Sequence, residues 1–265
     1  MYAGRRLISV AFLSSGAVDG KHILIKPPFN SGSFYFNYKQ SFSVVLLAVV
    51  DSNYEFVYVD IGCNGRISDG GVFRNSSIGK ALEEAKLKLP QPSYLPGSSV
   101  KAPFVFVADD AFPLKENIMK PFNRNCLSEE NRIFNYRLSR ARRCVENAFG
   151  ILSNRFRVFL TPIALEPPKV EQIVLTACCL HNFLRRNVAA SASYSPPGSL
   201  DSENADTHEL IPGTWRQAAG SSSVVNLTRQ CSNYPIVAKN IRNIFCDYFN
   251  SDIGSVPWQD NKALL

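Results

Sequence analysis

The sequence predicts an α/β chain. Its mixed sheet is built in the order strand, strand, strand, helix, strand, helix, flanked by helices and followed by a helical C-terminal extension. Three observations carry this. Between residues 17 and 61 lie three runs rich in β-branched and aromatic residues, punctuated by Pro27-Pro28 and Asp51-Ser52-Asn53. A fully apolar run at 104–108 stops abruptly at Asp109-Asp110. From 131 to 158, Phe134, Leu138, Ala141, Val145, Ala148, Leu152 and Phe156 recur at spacings of four, three and four, the stripe of an amphipathic helix.

The elements follow in order. Residues 17–26 read as the first strand. A loop of aromatics and bases comes next, Phe34-Tyr35-Phe36-Asn37-Tyr38-Lys39. Runs 42–50 and 54–61, joined by a short polar turn, predict an antiparallel hairpin. Residues 62–71 are glycine-rich loop, and 72–87 read as a helix ended by the prolines at 90–96. The run 104–108 is a fully apolar strand that runs straight into Asp109-Asp110. Ser128 is placed to cap the long helix, with Glu129 and Glu130 at the positive end of its dipole. A buried helix is expected at 170–186, a polar linker at 191–202, little periodic signal at 203–230, and a last helix at about 236–249. That last helix should keep Ile241, Ile244, Phe245 and Tyr248 on one face.

A chain of 265 residues can bury a full core, as one large domain or two small ones. At 45% hydrophobic, with 18 Phe and 10 Tyr, it is globular. A net charge of +7 and a pI near 9.1 favour a polyanionic partner such as nucleic acid. Seven scattered cysteines, an odd count, argue against a disulfide framework and for a reducing compartment. Cys178 and Cys179 with His181 hint at zinc, but adjacent cysteines cannot jointly clamp a metal in the usual spaced manner, so they read as buried small residues. No apolar run approaches the ~20 residues that span a bilayer. Arg5-Arg6 before an apolar stretch and Ser-Ser-Gly-Ala imitates a signal peptide. Cleavage after Ala17 would cut into the first strand, so the likeness reads as accidental and the protein as intracellular.

The long helix has an unusual polar face. Between 131 and 158 stand seven arginines (132, 137, 140, 142, 143, 155, 157) and one acid, Glu146. Arg142 and Glu146, four apart, could simply pair, at ~0.3–0.5 kcal/mol if exposed. Asp19, within the first strand, and Asp109, at the exit of the fourth, suggest more. In α/β sheets the carboxyl ends of strands open onto the crevice where functional groups gather. Three acids in this topology suit metal-assisted phosphodiester cleavage. Mg²⁺ takes a few carboxylates and keeps sites for water and phosphate. The arginines would offset carboxylate repulsion and hold a DNA backbone.

Five ordered motifs then resemble the PIF/Harbinger transposase family: Val18-Asp19-Gly20-Lys21-His22-Ile23; Asn37-Tyr38-Lys39; Gly65-Arg66-Ile67-Ser68-Asp69-Gly70-Gly71-Val72-Phe73; Ala108-Asp109-Asp110-Ala111-Phe112-Pro113-Leu114; and Arg143-Cys144-Val145-Glu146-Asn147-Ala148-Phe149-Gly150. The resemblance runs from about 16 to 186. Pro-Gly-Ser-Leu at 197–200 and Ile-Pro-Gly-Thr-Trp at 211–215 look like relatives as well.

The resemblance implies an RNase H-like fold and a DDE-type nuclease. By position, Asp19, Asp109 and Glu146 match the three catalytic acids, with 36 residues between the last two. Asp69 matches a fourth carboxylate, so the implied metal ligands are Asp19, Asp69, Asp109 and Glu146, holding Mg²⁺ or Mn²⁺. Asp110 is a supporting neighbour, and His22 packs or hydrogen-bonds instead of ligating. Candidate DNA contacts are Lys39, Arg137, Arg140, Arg143, Arg155 and Arg157. Implied partners are DNA and a Myb-like DNA-binding protein, with no membrane. A homo-oligomer is admitted without being specified, and the expected location is the nucleus, the cytoplasm also being open.

The expected organisation is a short N-terminal remnant at 1–15 and a nuclease domain at 16–188, followed by a linker and irregular region at 189–230 and a helical segment at 231–265. Family members usually carry a DNA-contacting region ahead of the first catalytic strand, and only about 15 residues precede it in this sequence. The competing reading is a catalytically silent domesticated or truncated relic that binds DNA or protein. An RNA-processing enzyme of the same fold is a third, since fold alone does not choose substrate.

Overall fold

A computed structural model of the chain describes residues 14–67, 69–123, 127–218, 223–226 and 234–263. Most of the expected N-terminal remnant, including the signal-like stretch up to Leu13, lies outside them, as do parts of the expected 189–230 and 231–265 segments.

The first three strands are β1 (Ser14–Leu24), β2 (Ser43–Val50) and β3 (Phe56–Asn64). The hairpin forms as expected, with β2 and β3 antiparallel from Val44↔Asn64 to Val50↔Phe56. Its turn is closed by Asp51, whose Oδ1 accepts the N–H groups of Asn53 and Glu55 at 2.9 Å. All eight residues of β2, Ser-Val-Val-Leu-Leu-Ala-Val-Val, are buried, as a strand covered on both faces must be. The short strands β4 (Ser93–Tyr94) and β5 (Lys101–Ala102) pair with each other. The apolar run becomes β6 (Val105–Val107), parallel to both β1 and β7 (Ile118–Met119). The sheet order is β3-β2-β1-β6-β7. Mixed, flanked by helices and with this topology, the sheet is of the RNase H-like kind that the sequence predicts.

The helix expected at 72–87 is instead two short helices, α1 (Asp69–Asn75) and α2 (Ser77–Glu83). Ser76 breaks them: its hydroxyl donates to the carbonyl of Phe73 at 2.6 Å, competing with the helical ladder. The arginine helix, α3, runs Glu129–Arg155, with Ser128 Oγ accepting the Asn131 N–H at 3.3 Å as its cap. It ends where Phe156 turns extended, and a 3-10 turn follows at Arg157–Phe159. Its predicted stripe is buried from Phe134 to Leu152. Helix α4 (Pro167–Arg186) begins on the two prolines, which suit a first turn whose N–H groups go unused.

The stretch expected as a linker carries elements of its own: α5 (Val188–Tyr194), β8 (Ser202–Glu203) paired with β9 (Leu210–Ile211), α6 (Trp215–Ala218) and β10 (Val224–Asn226). β10 adds antiparallel to β1. Such short pieces have no period to read; long-range partners make them. Helix α7 (Ile236–Asn250) buries Ala238, Phe245, Cys246, Tyr248 and Phe249, a face shifted from the expected one, with Ile241 and Ile244 only half-buried. Helix α8 (Gln259–Ala263) follows.

The residues fall into two compact units: Met1–Val18 with Ser77–Arg143 and Arg229–Leu265, and Asp19–Ser76 with Cys144–Thr228. Within the first, the rings of Phe122, Phe134, Phe249 and Phe245 follow one another at 5.1, 6.1 and 6.4 Å. Within the second, the Phe56 ring lies 5.6 Å from Phe149 and 5.0 Å from His181.

Candidate active site

Strand β1 presents Asp19, which is 4% exposed. Its Oδ1 accepts the Gly20 N–H at 2.9 Å. Its Oδ2 sits 2.9 Å from Lys21 Nζ, yet the pair is not aligned as a hydrogen bond, so this buried oxygen has charge compensation without a donor pointed at it. Lys21 Nζ also lies 5.5 Å from the Phe149 ring centroid. His22, next on the strand, bonds Ser43 Oγ through Nδ1 at 2.9 Å. Burial, helped by the charge of Lys39, pushes its pKa down to about 4. It is a neutral packing residue, as the sequence suggests.

Glu146 is half-buried on α3, and its Oε2 lies 3.6 Å from Arg216 Nη2. Arg216 is itself gripped by Asp201, whose carboxylate takes Nε at 2.8 and 3.0 Å and Nη2 as well. The neighbouring Asn147 Oδ1 accepts the Asp201 N–H at 2.9 Å and the Trp215 indole N–H at 2.8 Å. The Trp215 ring closes over Gly150, where a Cβ would meet it at 2.2 Å. Asp201, Trp215 and Arg216 are thus held against α3 beside Glu146. Arg216, Asp201, Asn147 and Trp215 were not among the predicted site residues. Their visible signal was the Arg143–Gly150 motif, which holds Asn147, and the Pro-Gly-Ser-Leu and Ile-Pro-Gly-Thr-Trp segments, which Asp201 and Arg216 directly follow and the second of which ends on Trp215.

Asp109 follows β6, and its Oδ1 accepts the Ala111 N–H at 2.9 Å, a turn-forming bond. The carbonyl of Asp110 accepts from Lys120 Nζ. Both belong to the first compact unit, whereas Asp19 and Glu146 belong to the second. Asp69 opens α1; its side chain lies outside the described residues. Among the described residues, no three His, Cys, Asp or Glu side chains form a group able to hold a metal ion.

The zinc hint dissolves in the geometry. Both ring nitrogens of His181 are engaged, Nδ1 with the Tyr194 hydroxyl at 2.8 Å and Nε2 with the Tyr54 carbonyl at 2.7 Å. Burial holds the ring pKa at about 4, the effect of Arg185 adding to it against the carbonyl of Tyr54 and Glu55. Cys178 is buried and Cys179 exposed.

The candidate DNA contacts divide. Arg137 turns inward: Nη1 donates to Gly254 O and to Gln259 Oε1, both at 3.0 Å, and the guanidinium lies 4.6 Å from the Phe249 ring. Burial, then Arg140, lowers its pKa to about 10. Arg137 is a strut of its unit. Arg140 lies 5.6 Å from the rings of Tyr136 and Trp258. Arg155 Nε donates to the Tyr194 carbonyl at 2.7 Å. Arg143 is half-buried; Arg157 and Lys39 are exposed.

Residues 18–182 match the DDE superfamily endonuclease family, and the chain belongs to it. It is 28% identical over 173 residues to "Protein ALP1-like" of Arabidopsis thaliana, covering 64% of this chain and 42% of that protein. It is 28% identical over 171 residues to "Putative nuclease HARBI1" of Rattus norvegicus, covering 63% of this chain and 45% of that one. The mouse protein of the same name is 26% identical over 198 residues, 73% of this chain and 52% of its own length. The chain therefore spans about half the length of the curated relatives it matches. The resemblance read from the motifs stands as homology to these proteins. No solved structure matches the chain. Among the described residues, no helix is long and apolar enough to cross a membrane.

Proposed function

We propose that this chain is the catalytic part of a divalent-metal-dependent DNA endonuclease of transposase descent. In this reading Asp19, Asp109 and Glu146 are the catalytic acids, and Asp69 is a fourth carboxylate on the metal. The observation that carries it is the buried Oδ2 of Asp19, an anionic oxygen kept from water with a lysine beside it and no aligned donor. An all-carboxylate donor set is hard and anionic, which suits Mg²⁺ or Mn²⁺ and not a thiolate- or imidazole-seeking ion. When bound, such a cation supplies Lewis acidity and an activated water. Lys21 Nζ stands 2.9 Å from Asp19 and Arg216 Nη2 3.6 Å from Glu146, so each of the two acids has a cation beside it.

DNA is the proposed substrate, with Lys39, Arg140, Arg143, Arg155 and Arg157 toward phosphates, a Myb-like protein as targeting partner, and the nucleus as location. The test is cleavage of supercoiled and linear duplex DNA in Mg²⁺ or Mn²⁺, alongside Asp109→Ala and Glu146→Gln. Cleavage by the wild type alone, with DNA binding kept in Glu146→Gln, is the expected result. Cleavage unaffected in both variants would sink the site assignment.

A second reading, a silent DNA- or protein-binding relic, is favoured by the Arg216–Glu146 pair, which leaves that carboxylate already engaged. Binding to DNA with no cleavage in either metal would select it.

A further inference from the structure

The loop joining β1 to β2 carries six aromatic rings between residues 29 and 42. Four of them are well exposed: Phe29 at 86%, Phe34 at 55%, Tyr38 at 50% and Phe36 at 39%. Aromatic rings carry large apolar faces that ordinarily find cover.

The loop is held in place from beneath. Asn37 is buried and acts as its hub. Its Nδ2 donates to Ser43 Oγ at 2.9 Å, and its Oδ1 accepts the N–H groups of Lys39 and Ser41 and the Ser41 hydroxyl at 2.9, 3.2 and 3.0 Å. Ser43 donates its N–H to the Tyr35 carbonyl at 2.9 Å, and Gly65 donates to the Ser43 carbonyl at 2.9 Å. Gly65 is required there, since a Cβ would lie 2.2 Å from Ser43 Oγ. Rings presented by an already ordered loop lose little freedom on binding.

Charge says what they are presented to. From residue 20 to 50 the sequence has three lysines and no Asp or Glu. Arg66 reaches the loop, its Nη1 lying 3.4 Å from Ser33 Oγ. Lys39 Nζ stands 5.5 Å from the Tyr38 ring. That ring is 5.9 Å from His22, three residues along the strand from Asp19. The Lys39 pKa is lowered, first by the partial burial of its ammonium and next by the charge of Lys21, the ion partner of Asp19. Tyr35 is the exception. After burial, the carboxylates of Glu171 and Glu166 raise its pKa, so this half-buried ring faces acids.

We propose that Phe29, Phe34, Phe36 and Tyr38 form a stacking platform for unpaired bases, which brings single-stranded or frayed DNA to the Asp19 side of the site. Every base has a flat π face, and cations beside the rings hold the phosphates. Bases within a duplex are already stacked and cannot use the rings. The platform rests on the DNA reading above. An acid-free loop beside a candidate catalytic carboxylate fits a nucleic acid better than a protein surface.

The test is binding without divalent metal, by fluorescence anisotropy, to a single strand, a blunt duplex and a duplex with a frayed end. 2-Aminopurine in the unpaired segment reports stacking. Phe34→Leu, Phe36→Leu and Tyr38→Leu keep apolar area but remove the π face; Phe34→Trp and Phe36→Trp restore it. Melting curves check that the variants fold. The expected result is 2-aminopurine quenching by the wild type and a loss of roughly 5- to 100-fold in single-strand and frayed-end affinity per ring removed. Blunt-duplex affinity should stay unchanged, and the Trp variants should recover. Duplex binding with leucine variants that lose nothing on unpaired DNA would overturn the platform, assign the rings to a protein interface and leave the DNA reading standing. A wild type that binds none of the three DNAs would overturn both.

Discussion

The carboxylate of Glu146 lies 3.6 Å from Nη2 of Arg216, a residue 70 positions later in the chain, and the fully buried carboxylate of Asp201 grips the same Nη2 together with Nε. Asp201 raises the Arg216 pKa chiefly through its hydrogen bonds, so the cation is permanent. Removing it in Arg216→Ala strands the buried charge of Asp201, which keeps the Gly213 N–H at 2.8 Å. A loss of about 3 kcal/mol in stability is expected by urea denaturation, with Arg216→Lys intermediate because a lysine cannot grip a carboxylate through two nitrogens.

Gly150 offers a sharper check on the same clamp. In a helix interior, Gly→Ala ordinarily stabilises by up to about 1 kcal/mol. At Gly150 the new methyl would stand 2.2 Å from the Trp215 ring, so the sign should invert to a loss of about 1–3 kcal/mol. A Gly150→Ala variant more stable than wild type would mean Trp215 does not sit on α3.

Arg137 and Arg157 should behave as different kinds of residue. Arg137→Ala removes two charge-assisted hydrogen bonds and a contact with the Phe249 ring, and should cost about 2–4 kcal/mol. Arg157→Ala, on an exposed side chain, should leave stability within about 0.5 kcal/mol. If it contacts phosphate, the slope of log affinity against log salt should fall by about one.

Acid should destabilise the second compact unit through His22 and His181. Both are buried and have folded pKa values of about 4, against 6.5 unfolded. Between those values the unfolded state binds protons that the folded state refuses, so stability rises with pH there. The contribution is complete above about pH 6.5 and is lost as pH falls toward 4, about 3 kcal/mol for each ring. Urea midpoints measured from pH 7 to 4 should show that fall, and it should be shallower by about half in His181→Gln.

Divalent metal should raise the melting temperature if the acids bind it. At about 100 times its dissociation constant the gain is ~2.7 kcal/mol. Asp19→Asn should reduce that gain. An identical Mn²⁺ shift in wild type and Asp19→Asn would place the ion elsewhere.

What the sequence by itself determined is what a local period or an ordered motif can encode. The stripe from Phe134 to Leu152 specified which face of the arginine helix is buried. The runs at 42–50 and 54–61 specified an antiparallel hairpin, and Asp51-Ser52-Asn53 its turn. The motifs around Asp19, Asp109 and Glu146 specified the family and nominated the acids. Tertiary structure alone decided that Arg137 turns inward to Gly254, that His181 spends both nitrogens on Tyr54 and Tyr194, and that Arg216 comes to Glu146. It also made strands and short helices of residues the pattern left as linker. Burial periodicity repeats every two or 3.6 residues and so is written locally. An arginine looks the same in sequence whether its charge meets water, phosphate or a buried carboxylate, and partners more than a hundred residues apart are chosen only when the chain has packed.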